Sequence, residues 1–216
     1  MPDNPIQEIY TLLFNFFGPQ NWWPGETPFE VMVGAVLTQN TSWTNVEKAL
    51  APIKKEGLLT FEALESMPHA LLAEKIRPCG YFNLKADRLK NLFSLIRTNY
   101  HADLDLFLSD ETQALRQALL SVKGIGPETA DSILLYAAQK PVFVVDAYTH
   151  RVLARHRIIA EDEEDYHQIQ EIFLGSLPCD TQLFNEYHAL LVQAGKNFCK
   201  KSNPRCPDCP LAPLLA

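Results

Sequence analysis

A single carboxylate, Asp146, stands between the apolar pair Val144-Val145 and the stretch Ala147-Tyr148-Thr149-His150-Arg151-Val152, which has helical character. At the first boundary of a helix an aspartate accepts backbone N–H bonds, and the positive end of the helix dipole favours its ionised form. A carboxylate held anionic suits cleavage of a glycosidic bond, where positive charge develops on the sugar. It can also orient the attacking water. Taken alone, the local pattern is equally that of an ordinary N-cap, the commoner use of aspartate at such a place. Upstream lies Leu120-Ser121-Val122-Lys123-Gly124-Ile125-Gly126-Pro127-Glu128-Thr129-Ala130. Its two glycines let the backbone turn tightly and approach a ligand closely. The N–H groups of such a turn, at the start of a helix, form a cradle for a phosphate.

Two tryptophan-bearing segments suit a different task. They are Asn21-Trp22-Trp23-Pro24 and Leu37-Thr38-Gln39-Asn40-Thr41-Ser42-Trp43. An electron-rich indole face attracts a cationic ring by stacking and cation–π interaction. Indoles also serve as core anchors, and Trp22 and Trp23 suit that role too. Gln39 and Asn40 can fill the gap left by a flipped nucleotide or cap the helices on either side.

Three of the five cysteines, Cys199, Cys206 and Cys209, crowd into the C-terminal tail. That spacing favours metal or cluster ligation over disulfides. A helix from Cys179 to Cys199 would hold their ends about 30 Å apart at 1.5 Å per residue, so Cys179 is a poor companion to them. The six histidines form no pair at metal spacing. His150 and His156 read as surface or lightly hydrogen-bonded imidazoles.

Together the glycine loop, the Thr129-Ala130 pair after it, the spacing and Val144-Val145-Asp146 resemble the helix-hairpin-helix plus Gly/Pro-Asp motif of the endonuclease III superfamily of DNA glycosylases. The resemblance covers roughly residues 29–209. It implies an all-α, two-lobed fold. Residues 27–135 would form a six-helix barrel with the hairpin, and 1–26 with 136–216 a second helical lobe with the cysteine loop. Double-stranded DNA with a damaged base would lie across the cleft, the hairpin on one wall and Asp146, the catalytic residue, at its mouth. The backbone of Gly124, Ile125 and Gly126, flanked by Lys123, Glu128 and Thr129, would hold a phosphate, with a bound monovalent cation at the hairpin. Glu128 stands where bifunctional members carry a lysine that attacks the sugar. Glutamate cannot form an imine, so the implied enzyme uses water and leaves an abasic site. Residues 33–40 lack the glutamate of the adenine-mismatch branch.

The tryptophan segments resemble the 3-methyladenine DNA glycosylase III branch. There Trp22, Trp23, Pro24 and Trp43 would line the base pocket. Cys199, Cys206 and Cys209 match three positions of the family's four-cysteine 4Fe-4S loop, but the fourth position is Leu215. Three thiolates can hold a cluster with a non-cysteine fourth ligand or an open iron. They can bind zinc with one outside ligand, or be a remnant loop that binds nothing. Cys79 belongs with the barrel. Two rival functions stand beside alkylpurine excision: an endonuclease III-like glycosylase for oxidised pyrimidines, and a non-catalytic helix-hairpin-helix DNA-binding protein.

These residues must be positioned by helices. Ile6, Ile9, Leu12, Leu13 and Phe16 recur at helical spacing, as do Val31, Ala35, Val36 and Leu37 after Pro28. Residues 83–97 repeat Leu84, Leu89, Leu92, Leu95 and Ile96 on one face. Residues 109–120, 127–138, 147–156 and 179–198 complete the expected helices. Residues 141–145 have strand composition but no partner, which predicts an extended connection into Asp146. The 216 residues suffice for one large domain or two small lobes, and 47% apolar with 21% charged content is that of a globular protein. No apolar run approaches a membrane span, and Met1-Pro2-Asp3-Asn4-Pro5 lacks a signal-peptide pattern. A cytoplasmic monomer without membrane contact is therefore expected. The net charge of -7 opposes DNA affinity. However, the acids concentrate in Glu161-Asp162-Glu163-Glu164-Asp165, read as a solvated segment, while Lys196, Lys200, Lys201 and Arg205 cluster in the tail.

Overall fold

Apolar residues return at helical spacing along most of the chain, and the computed structural model, which describes residues 4–22 and 25–215, is helical throughout. The α-helices are α1 (Pro5–Phe17), α2 (Pro28–Leu37), α3 (Trp43–Lys55), α4 (Phe61–Ser66), α5 (His69–Lys75), α6 (Phe82–Tyr100), α7 (Leu104–Ser109), α8 (Thr112–Ser121), α9 (Pro127–Ser132), α10 (Ala147–Arg155), α11 (Tyr166–Ser176) and α12 (Thr181–Asn197). No strand occurs among the described residues. Residues 141–146 run extended and unpaired, as their composition predicts.

The chain divides into two compact units, Trp23–Lys140 and Met1–Trp22 with Pro141–Ala216. In the first, α2 is buried along nearly its whole length. It packs on α6, α9 and a π-helical segment, Ile133–Ala137. Phe29, Phe61 and Phe93 meet ring to ring there, Phe29 stacking on Phe93 at 5.8 Å.

Helix α6 departs from expectation. Its inward stripe is Lys85, Ala86, Leu89, Leu92, Phe93 and Ile96, while Leu84 is exposed. Leu84 lies one position off the 3.6-residue stripe, and Lys85 takes the inward place. The Lys85 ammonium is held by the carbonyls of Leu37 at 2.9 Å and Cys79 at 2.7 Å. Burial pushes it below the usual lysine range.

The expected helix over 127–138 is also interrupted. Helix α9 ends at Ser132 and the wider π turn follows, with all five of its residues buried. A segment buried on every side carries no amphipathic period to read. Helices α3, α4, α5, α7 and α11 lie outside the expected set. Helices α4, α5 and α7 have six or seven residues, too few to display a period. Helix α3 contains Pro52, and α11 starts directly after the acidic run.

In the second unit, α12 packs on α10 and α1. Its core stacks Phe143 on Phe173 at 3.8 Å and bonds the Tyr187 hydroxyl to the Ile6 carbonyl at 2.7 Å. Ile6, Ile9 and Leu13 form the inward face of α1, whereas Phe16 is exposed. Gly195 of α12 lets α10 come close: a Cβ there would stand 2.3 Å from the Tyr148 ring. The acidic run is mostly exposed and ends at Asp165, which caps α11. No helix among the described residues is long and apolar enough to cross a membrane.

Candidate active site

Asp146 is the N-cap of α10. Its Oδ1 accepts the backbone N–H groups of Tyr148 at 3.0 Å and Thr149 at 2.7 Å, and the Thr149 hydroxyl at 3.0 Å. Those donors occupy one carboxylate oxygen. The other, Oδ2, stands 3.6 Å from Nε2 of His188, an ion-pair distance rather than a hydrogen bond. Burial acts to raise the Asp146 pKa. The His188 imidazole and then the two Thr149 donors outweigh it and hold the carboxyl below its ordinary value. Asp146 is therefore ionised at neutral pH, with one oxygen tied to the helix.

His188 comes from α12 and is buried. Its ring lies nearly parallel to the Trp22 indole, with centroids 5.7 Å apart and planes 10° apart. The structure thus lines up Trp22, His188 and Asp146 within one unit. His188 carries no signal in the sequence, because it sits on α12, far from the motif along the chain, and meets Asp146 only through the close α10–α12 approach at Gly195.

The hairpin joins α8 to α9 across residues 122–126. Gly124 has φ +97, a conformation costly for side chains, and a Cβ there would strike Arg88 at 2.5 Å. Val122 and Ile125 are buried and anchor the loop, while Lys123, Gly124, Gly126 and Glu128 are exposed. Gln39 braces it. Its amide donates to the Gly124 carbonyl at 3.1 Å and the Thr129 hydroxyl at 2.9 Å, and its carbonyl accepts from Arg88. Asn91 donates to the Lys123 carbonyl at 3.1 Å. Gln39 is thus neither a simple cap nor a free finger. Thr129 turns its hydroxyl into the fold and is buried. Asn40, by contrast, is exposed and left-handed, with φ 55.

Trp43 opens α3, and its indole lies over Gly34 of α2, where a Cβ would stand 2.8 Å from the ring. A glycine within a buried apolar helix makes the room. Trp23 and Pro24 lie outside the described residues.

The cysteine loop is fastened to α10. Arg151 donates to the Cys199 carbonyl at 2.5 Å, and Arg155 to the Cys199 Sγ at 3.0 Å and the Lys200 carbonyl at 3.2 Å. Cys199, Cys206 and Cys209 line a small recess, partly open to solvent, with Arg155, His156, Phe198 and Leu215. Among the described residues no three His, Cys, Asp or Glu side chains gather tightly enough to grip a single metal ion. An iron–sulfur cluster takes one protein ligand at each of its irons. Burial pushes the Cys209 thiol up. Lys200 and Lys201 are exposed, whereas Arg205 is engaged with Asp208 at 3.1 Å and with the Phe198 ring.

Comparison with known proteins places this geometry. A family model described as HhH-GPD superfamily base excision DNA repair protein matches residues 33–179. A Methanocaldococcus jannaschii protein named as a DNA repair glycosylase is 48% identical over 95% of the chain and 93% of its own length. Endonuclease III of Sulfolobus acidocaldarius is 29% identical over 84% of the chain and 78% of its own. Among solved structures, the H. pylori 3-methyladenine DNA glycosylase bound to 1,N6-ethenoadenine superposes with a TM-score of 0.76 at 30% identity, covering 88% of this chain and 96% of that one. A non-covalent endonuclease III–DNA complex gives a TM-score of 0.82 at 22% identity, over 97% and 92%, and shares the fold.

Proposed function

The chain belongs to the HhH-GPD superfamily of base excision DNA repair proteins and is a DNA glycosylase; from that premise we propose that it excises N-alkylated purines of the 3-methyladenine type by hydrolysis, without cutting the strand. The observation that carries this reading is the alignment of the Trp22 indole, the His188 imidazole and the ionised Asp146. An N3-alkylated adenine is already cationic, so it leaves with the bonding electrons of its glycosidic bond as a neutral base. The need is for a stacking surface to select it and an anion to stabilise the sugar cation left behind. Asp146 Oδ2, the oxygen not tied to the helix, is placed to meet that charge and to take a proton from the attacking water as its oxygen bonds C1′. His188 positions the carboxylate. Trp22, with Trp23 and Pro24 beside it in sequence, reads the base.

Other features support the reading. Glu128 offers no amine for a Schiff base. The 3-methyladenine glycosylase that superposes on the chain is 30% identical to it. The hairpin supplies phosphate contacts through the open backbone around Gly124 and Gly126, helped by a monovalent cation, and Lys123, Lys200 and Lys201 add positive charge. Cys199, Cys206 and Cys209 hold an iron–sulfur cluster that keeps the loop bearing Lys200 and Lys201 folded. Cluster chemistry takes no part in base removal.

The deciding experiment compares single-turnover release of 3-methyladenine and of thymine glycol from otherwise identical duplexes, for the wild type and for Trp22→Ala. Faster alkylpurine release, cut at least tenfold by the substitution while affinity for an abasic product is kept, is the expected result. Faster thymine glycol release establishes the oxidised-pyrimidine alternative instead. Binding without release of either base overturns the alkylpurine reading and the oxidised-pyrimidine alternative together.

A further inference from the structure

The cysteine loop lacks a fourth thiol, because Leu215 occupies the place where the resembled family has one. The fold brings a different donor to the same cavity. His156 closes the C-terminal end of α10 and lines the cavity together with Cys199, Cys206, Cys209 and Leu215. The Leu214 backbone lies beside its ring, and its Nδ1 is buried without a hydrogen-bond partner. A buried polar atom without a partner needs an explanation. A neutral imidazole carries a proton on one nitrogen and a lone pair on the other, and that lone pair can take a metal.

We infer that His156 Nδ1, with the thiolates of Cys199, Cys206 and Cys209, is the fourth protein ligand of an iron–sulfur cluster seated in this cavity. A lone zinc ion would need its donors within about 2.3 Å of one point, and no three candidate side chains converge so closely among the described residues. A cluster presents separate irons to separate ligands, which suits donors ranged around a recess as Cys199, Cys206, Cys209 and His156 are. On binding, each thiol releases its proton to solvent. The neutral imidazole contributes its Nδ1 lone pair and keeps its proton on Nε2. Arg155, whose Nη1 stands 3.0 Å from the Cys199 sulfur, offsets part of the thiolate charge. Asp146 and His156 thus bracket the same helix, α10, so a cluster fastened at one end steadies the backbone donors that hold the carboxylate at the other.

This inference rests on the cluster reading given above, and one experiment separates their failures. The full chain is reconstituted anaerobically with ferrous iron and sulfide, assayed for bound iron, sulfide and zinc, and its reduction potential is measured by voltammetry. The wild type should retain iron and sulfide in equal amounts. His156→Ala should retain at least tenfold less iron at an unchanged helical circular dichroism spectrum. His156→Cys should retain the wild-type amount and show a lower potential, because thiolate replaces a neutral imidazole. A wild type holding zinc alone, or free thiols and no iron, overturns the cluster and the inference together. A wild-type cluster retained undiminished in His156→Ala, or an unaltered potential in His156→Cys, overturns the role of His156 and leaves the cluster standing. If His156→Ala does not fold, the potential of His156→Cys decides.

Discussion

The Trp22 indole and the His188 imidazole lie 10° from parallel with ring centroids 5.7 Å apart, and the same imidazole faces Asp146 at 3.6 Å. The ring is thereby held from two directions. Stacking fixes its plane, and its Nε2 faces the carboxylate. The candidate base reader and the candidate catalytic anion are coupled through one buried side chain.

Asp146→Asn should lower single-turnover excision by about 10²–10³-fold or more, the loss typical of removing one group that stabilises charge in the transition state. Asparagine is as good an N-cap as aspartate, so the helix should hold. Affinity for an abasic analogue should remain within a few-fold. Near-wild-type excision would refute the assignment.

His188→Gln should move the acid limb of the pH–rate profile toward neutrality. The folded pKa of Asp146 lies below its ordinary value, so its carboxylate adds stability above about pH 4 that is lost as pH falls through the folded value. Excision by the wild type should accordingly be free of an Asp146 limb between pH 7 and 5. Without the imidazole, burial is opposed only by the Thr149 donors, and the carboxyl rises. A slower variant whose limb stays in place would mean that His188 serves packing alone.

Borohydride should trap no covalent adduct on abasic DNA, and no strand nicking should accompany base release, because Glu128 has no amine. Efficient trapping would redirect attention to Lys123, which is exposed in the hairpin.

Gly34→Val should cost about 1–3 kcal/mol, the usual penalty of overpacking, and should shift the fluorescence of Trp43. The Cβ alone would stand 2.8 Å from the indole. Chemical denaturation and emission spectra report both effects. An unaltered midpoint would show that α2 and Trp43 separate freely.

What the sequence by itself determined is local. Asp146 could be read as a cap because capping depends on bonds reaching only two and three residues ahead. The two glycines announced a tight turn because backbone freedom is a single-residue property, and the structure shows Gly124 taking φ +97 there. The cysteine spacing and the helical identity of α1, α2, α6, α8, α10 and α12 were legible for the same reason. Tertiary structure decided which distant side chains complete each feature. His188 meets Asp146 only because α12 packs on α10, with Gly195 clearing the way for Tyr148. Gln39 braces the hairpin only because α2 lies against α9. His156 resembled a surface imidazole until the tail folded back to bring Leu214 and the cysteines around it. Such pairings depend on the burial of whole helix faces, a property of how elements pack together, and no spacing along the chain encodes them.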